Sequence, residues 1–417
     1  MRYSEIADIL IQRISSGIYR PGEKIPSVRD IADEFQCNKL TVQRAFDILK
    51  ERGLLDNIVG SGSFVRFPEV RDTAHSVYDF KSASLSDTFV PHAMFQDCLT
   101  TLTDNPEGLL GNTPPQGDEL LRTILGSRYG FPARRIIIIS GAQQGLDITA
   151  KVLGLTGEEM LFEEPTYSGA LALFKPRHFI PFQDSGPDPE HLHAYCDKSI
   201  RLMYTMPFIQ SPTGLGYSSE TIKNIASIIK EKNLYLIEDD YLSDFLPDSH
   251  VRFADIIPEK TIFIKSLSKI TAPGLRIGFM VVPDDLYDRF IDVKFLSDIT
   301  SAPLIQRVTR IFFQHPAFNG YLQSLKNISD QRRRKIETLL HQFAFLHIQN
   351  NQQGYSIWVR SDTSPDIFSA PWTLGSRFSF HPDHRSFFRL SYMNMNDTVF
   401  EKGFDYLKTV FDRMEGS

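Results

Sequence analysis

Three strand-length runs in this chain are apolar almost throughout and stop abruptly at small, charged or hydroxyl-bearing residues. Ile136 to Ile139 runs into Ser140-Gly141-Ala142-Gln143, Leu234 to Ile237 into Glu238-Asp239-Asp240-Tyr241, and the run from Thr261 into Ser266-Leu267-Ser268-Lys269. A run with no polar alternation is buried on both faces, so it demands a sheet covered by helices on either side. Helical stretches alternate with strands from about residue 80 onward. That order predicts an α/β body with a mixed, mostly parallel central sheet. Ligands bind such sheets at strand ends, where these three clusters fall.

Each cluster has its own chemistry. After Ser140-Gly141-Ala142-Gln143-Gln144-Gly145 comes a helix carrying Leu146, Ile148 and Val152. The free amides and dipole of that helix face an anion, and small side chains let the anion approach. Small residues also serve in plain strand-to-helix turns. Three acids at 238–240 suit a solvated loop or a metal, but no histidine is close and no second carboxylate cluster stands out, so no metal is expected. Lys269 is flanked by the hydroxyls of Ser266 and Ser268, with Arg276 seven residues on. A phosphate cradle, an acid, a lysine with hydroxyls and an arginine together suit pyridoxal 5'-phosphate. A lysine amine takes its aldehyde, and a carboxylate keeps the pyridine nitrogen protonated, making the ring an electron sink.

The first seventy residues have a different pattern. Ile6, Ile9, Leu10 and Ile14 make one apolar stripe, ended by Gly17 and Pro21-Gly22. Ser27 caps a second helix, with Asp30 at the capping-box position and Val28, Ile31, Ala32 and Phe35 turned inward. Asn38 caps a third, whose inner face is Val42, Ala45, Phe46 and Leu49. Gly53-Leu54-Leu55, Ile58, Gly60-Ser61-Gly62 and Phe64-Val65 predict a two-stranded wing. Two short helices joined tightly are a helix-turn-helix, whose second member enters the major groove. Its outer face carries Lys39, Thr41, Gln43 and Arg44, suited to phosphates and base edges, with Arg29 placed to hold a phosphate. The predicted DNA-facing set is Ser27, Arg29, Asn38, Lys39, Thr41, Gln43, Arg44 and Gly62. The plain alternative is a helical module whose polar face meets only water.

At 417 residues the chain exceeds what one core supports. Its net charge of −6 argues against wholesale nucleic-acid affinity, yet residues 1–71 hold 11 basic against 10 acidic side chains, so the acidity lies in the remainder. Cys37, Cys98 and Cys196 are far apart and form no CxxC pair, which fits a reducing compartment without structural zinc. No apolar run is long enough for a signal peptide or a bilayer span, so a cytoplasmic protein without a membrane partner is expected.

The segment IPSVRDIADEFQCNKLTVQRAFDILKERGLL…GSGSFV resembles the winged-helix domain of GntR regulators, and the remainder resembles a fold-type I, class I/II aminotransferase. The whole is similar to a MocR-type transcriptional regulator. The resemblance implies a winged helix-turn-helix domain at 1–67, a linker at 68–80 and an aminotransferase-like domain at 81–417, its large part about 81–290 and its small part about 291–417. It implies Lys269 as the Schiff-base lysine. Ser266, Ser268, Arg276 and the amides of Gly141, Ala142 and Gln143 would hold the phosphate. Asp239 would pair with the ring nitrogen, Tyr241 would bond the ring hydroxyl, Tyr167 would stack on the ring, and Arg389 would grip an incoming carboxylate.

Three positions depart from that pattern. Ser211 stands where an asparagine donates to the ring hydroxyl, Asn112 where a tyrosine reaches the partner's phosphate, and no glycine occurs in Phe80 to Pro91. These changes imply a retained cofactor without efficient transamination. The expectation is a homodimeric regulator that binds operator DNA and senses pyridoxal phosphate or an amino compound. Two alternatives are an aminotransferase with an accessory head and a regulator whose body only dimerises.

Overall fold

The computed structural model describes residues 3–15, 18–19, 22–51, 54–58, 62–65, 78–104, 110–195, 199–247, 250–349, 352–367 and 370–415. Gly17, Pro21, Gly53, Gly60, Ser61, Cys196 and the expected linker up to residue 77 lie outside the described residues.

The head has its own core. Helices Tyr3–Ser15, Val28–Glu34 and Lys39–Glu51 bury Ile6, Leu10, Ile31, Val42, Phe46 and Leu49 against one another. Ile9 and Ile14 are only half-buried, and Ala7 takes part in the stripe instead. The capping box forms as the sequence predicts: Asp30 N donates to Ser27 Oγ (3.3 Å) and Ser27 N to Asp30 Oδ2 (2.9 Å). Leu40 N donates to Asn38 Oδ1 (3.0 Å), capping the third helix. In the wing, β1 (Leu55–Ile58) pairs antiparallel with β2 (Gly62–Val65). The expected two-stranded hairpin gains a third line of backbone, because Gly22 N donates to Val65 O, Ile25 N to Ser63 O and Val65 N to Glu23 O. Buried Ile25 pins that line to the head core.

The body is built on β3 (Ile136–Ile139), β4 (Met160–Glu164), β5 (His178–Gln183), β6 (Gly186–Pro187), β7 (Leu202–Thr205), β8 (Tyr235–Asp240), β9 (Thr261–Ser266) and β10 (Gly278–Val281). They lie in the order β3-β10-β9-β8-β7-β4-β5-β6, parallel from β9 through β5, with β10 antiparallel to both neighbours. The apolar run of β3 shows why the sheet needs two covers. Ile136 and Ile138 pack with the Glu119–Tyr129 helix, while Ile137 and Ile139 pack with Ala142–Leu153. A smaller lobe holds β11 (Leu346–Ile348), β12 (Ser356–Ser361), β13 (Thr373–Leu374) and β14 (Phe387–Ser391), in the antiparallel order β11-β12-β14-β13. Trp372 stacks on Phe411 of the Asp397–Glu415 helix, closing that sheet's inner face.

Two boundaries differ from the sequence expectation. Helices Tyr287–Asp298 and Pro303–Gln314 pack on large-lobe helices, not in a small part beginning at 291, so the small lobe starts within Phe318–Leu340. Tyr78 to Phe80, expected as the linker's end, belong to the body. Phe80 is fully buried, its ring so close to Gly403 that a Cβ there would lie 3.0 Å away, and Tyr78 meets Tyr406.

Candidate cofactor site and DNA-binding face

The ends of β8 and β9 and the start of the Ala142–Leu153 helix form one cluster. Along β8 successive side chains point to opposite faces. Glu238 accepts Phe253 N (2.8 Å) and Ala254 N (2.9 Å), and Asp240 accepts Lys265 Nζ (2.9 Å) and Ser243 N (2.8 Å). Only Asp239 looks the other way, toward the cluster. Burial raises its carboxyl to about 7, against the Tyr204 hydroxyl, which donates to Oδ2 at 2.7 Å and favours the charged form.

Lys269 sits in the turn after β9. Its Nζ donates to the carbonyl of Ala83, and Tyr355 Oη donates to its backbone oxygen at 2.7 Å. Burial, then the cations of Arg389 and Arg276, lower its amine to about 8. Arg276 stands against the helix start: a Cβ on Gly141, whose φ is +87°, would lie 2.8 Å from Arg276 Nη2. No side chain caps that helix, so the amides after Gly141 face the same space as the guanidinium. Ser268 Oγ is buried without a hydrogen-bond partner, and Ser266 closes β9 opposite Gly278.

Tyr167 lies across the cluster, its hydroxyl donating to Gln143 Oε1 (3.2 Å). Burial raises its phenol, an effect that Asp239 reinforces and Arg276 and Arg389 oppose. Burial also raises the Tyr241 phenol, which feels Arg389, Asp240 and Asp239. Arg389, on β14, donates from Nη2 to Lys81 O (2.8 Å) and covers the Phe378 ring at 4.7 Å, while its buried Nε has no partner. Burial lowers the guanidinium to about 10.

Lys269, Arg276, Asp239, Tyr241, Tyr167, Arg389 and the Gly141-Ala142-Gln143 turn therefore lie in one cluster. Ser211 does not join them. It is half-buried, and no hydrogen bond among the described residues ties its side chain to the cluster. Asn112 is exposed. Sequence reasoning missed Tyr204, Tyr355 and Phe378, and it missed the two carbonyls at Lys81 and Ala83. Parallel pairing that sets β7 beside β8 brings Tyr204 to Asp239, a register no local motif announces.

These residues fit pyridoxal phosphate. An orphaned buried hydroxyl, an uncapped helix start and a guanidinium beside it suit a phosphate. A half-buried amine of lowered basicity suits an aldehyde, and a single inward carboxylate suits a protonated ring nitrogen.

In the head, Ser27, Arg29, Asn38, Lys39, Gln43, Arg44 and Gly62 are exposed and Thr41 is half-buried. Gln43 Nε2 also donates to Asp47 Oδ1 (3.3 Å). Two features escaped the sequence. Leu40 is 72% exposed on the same helix face region, and Lys24 lies along the wing, its Cε 2.7 Å from where a Cβ on Gly62 would sit.

Residues 87–402 match the family Aminotransferase class I and II. The chain belongs to that family. Residues 2–65 match the bacterial regulatory proteins of the gntR family, so this aminotransferase-family chain carries a helix-turn-helix head, the MocR architecture. Family membership indicates pyridoxal phosphate as the cofactor. Among relatives, the HTH-type transcriptional regulator YcxD of Bacillus subtilis (strain 168) is 26% identical over 84% of this chain and 81% of its own. The HTH-type transcriptional regulator NorG of Staphylococcus aureus (strain USA300) is 23% identical, covering 82% of this chain and 88% of its own. Among solved structures, kynurenine aminotransferase of Pyrococcus horikoshii superposes with a TM-score of 0.72 at 22% identity, over 81% of this chain and 91% of that one. LysN of Thermus thermophilus, an alpha-aminoadipate aminotransferase complexed with N-(5'-phosphopyridoxyl)-L-leucine, gives 0.73 at 21%, over 81% and 92%. At those identities the superpositions speak for the fold. No helix among the described residues is long and apolar enough to cross a membrane.

Proposed function

We propose that this chain regulates transcription by binding pyridoxal phosphate at Lys269 and sensing either that cofactor or a carboxylate-bearing amino compound. The observation that carries the proposal is Lys269: a half-buried amine of lowered basicity beside Arg276, Ser268 and the uncapped helix start, with Arg389 offering an unpaired Nε nearby. When bound, the cofactor supplies an electron sink to an amine. This chain's residues do the rest. Arg276, Ser266, Ser268 and the amides at 141–143 would hold the phosphate, and Asp239, oriented by Tyr204, would keep a proton on the ring nitrogen. Tyr167 would cover the ring, and Arg389 would hold a carboxylate.

Ser211 and Asn112 lack reach, so efficient turnover is not part of the proposal. A homodimer is. Leu99, Leu120, Leu296, Ile299 and Leu304 are exposed on large-lobe helices and the turn beside them, an apolar surface that a second copy would cover. Two heads would then meet paired half-sites through the Lys39–Glu51 helices.

Titration of the purified chain with pyridoxal phosphate and then amino acids tests this, with absorbance, keto-acid product and operator binding followed on the same samples. The expected result is a coloured protein whose operator affinity changes without steady product. In the same assay Arg44→Ala lowers operator affinity about tenfold or more, the worth of one good base contact. Steady keto-acid formation without any change at the operator would replace the proposal with an aminotransferase carrying an accessory head.

A further inference from the structure

Residues 79–86 run past Lys269 and Arg389, and their anchors are unequal. Both ends are tied to the small lobe. Asn394 Nδ2 donates to Asp79 O (2.8 Å), Phe80 N to Pro371 O (3.1 Å), Ser391 N to Phe80 O (2.8 Å) and Ser86 N to Met393 O (2.7 Å). Phe80 and Leu85 are buried like pegs on either side. Between them, Lys81 O is held by small-lobe donors, Arg389 Nη2 (2.8 Å) and Thr373 Oγ1 (3.2 Å). Ala83 O instead reaches across to the large lobe and takes its hydrogen from Lys269 Nζ.

We propose that this strap is a latch between the lobes, closed by the Lys269 amine and opened when an aldehyde-bearing ligand consumes that amine. The proposal rests on the cofactor reading above and says how the site reports its state. The strap is the first part of the body that the chain reaches after the head, so whatever loosens it acts at the point where the two are joined. Lys269 in its charged form has three N–H bonds to offer. To capture an aldehyde, Lys269 releases one proton, and its two remaining hydrogens leave with the aldehyde oxygen as water while nitrogen forms a double bond to carbon. No oxidant or reductant is needed. The neutral imine nitrogen would hold no hydrogen, so in that form Ala83 loses its donor. Arg389 forms a second lock on the same strap, since a carboxylate drawing on its guanidinium competes with Lys81 O. An aldehyde alone thus opens the Lys269 lock, while an amino acid that displaces Lys269 from the aldehyde gives the amine back to Ala83 and, through its carboxylate, draws on Arg389 instead.

Hydrogen–deuterium exchange of peptides spanning 79–86 in the full chain tests this, with absorbance recorded on the same samples. Pyridoxal phosphate is the opening probe. Pyridoxamine phosphate, which has the phosphate and ring but no aldehyde, is the control. Exchange in the strap is expected to rise about fivefold with the aldehyde, the worth of one hydrogen bond, and to stay put with the amine. Lys269→Met should show the faster exchange without any ligand, and Lys269→Arg, which keeps a donor, the slower one. A coloured wild type whose strap exchanges no faster overturns the latch and leaves cofactor binding standing. A colourless wild type with a loosened Lys269→Met strap overturns cofactor binding and leaves the amine–strap contact standing. If Lys269→Met does not fold, the contrast between aldehyde and amine on the wild type decides.

Discussion

Lys265, fully buried, and Lys269, half-buried, lie four residues apart, and their surroundings push them in opposite directions. Burial pulls the Lys265 amine down, but Asp240 at 2.9 Å and Asp244 at 2.7 Å more than reverse this and hold it above its ordinary value. Tyr129 donates to Asp244 (2.8 Å), Ser243 accepts from Lys265 (3.1 Å), and Arg128 lies 3.7 Å from Asp244, so two cations face the two carboxylates at the back of the sheet. Lys269 has a carbonyl and two cations near it and no carboxylate partner, so nothing offsets burial, and it falls to about 8. The same side chain is thus a paired cation within β9 and, in the turn just beyond it, an amine of lowered basicity. Buried charge alone does not mark a reactive group; the sign of its neighbours does.

The harshest way to break this comparison is Lys265→Met. It strands Asp240 and Asp244 and is expected to cost about 3–5 kcal/mol in stability, read from denaturant midpoints, while the surviving folded fraction still colours with pyridoxal phosphate. Asp239→Asn comes next. Removing the charged partner of the ring nitrogen should weaken cofactor binding by about 2 kcal/mol, roughly thirtyfold in an absorbance titration, with little change in the midpoint.

Tyr204→Phe sharpens the contrast more gently. Asp239 loses its donor, its carboxyl rises further, and cofactor affinity should fall about fivefold, more at low pH than at high. The smallest effect is a shift of profile. Only neutral Lys269 attacks an aldehyde, so its capture rate should climb as pH rises through about 8 and then level off. Arg389→Gln removes a cation that disfavours the charged amine, so the midpoint should move to higher pH. A midpoint that stays or falls would mean Arg389 does not act on Lys269.

Side chains with a strong local signature were legible in the sequence alone. Lys269, Asp239, Arg276 and the Gly141 turn stood at ends of runs too apolar for anything but a doubly covered sheet. The head's helices followed from stripe and cap, down to the Ser27–Asp30 box. What stayed hidden has one common cause. Tyr204 acts through a neighbouring strand's register, Lys81 and Ala83 through backbone oxygens, and the third line of the wing through residues thirty or more positions from their partners. None of these leaves a mark in nearby sequence. The lobe boundary near 291 failed similarly: Tyr287–Asp298 and Pro303–Gln314 are plain amphipathic helices, and only packing shows which lobe they cover.

The packing of Phe80 against Gly403 has a consequence for how the protein is made. During translation the head, with a core complete by Val65, emerges early and can fold at once. The segment beside Phe80 finds its berth only after residue 403 has left the ribosome, roughly half a minute later at ordinary synthesis speeds. For that interval a finished winged-helix head trails a nascent body whose two ends have not yet met.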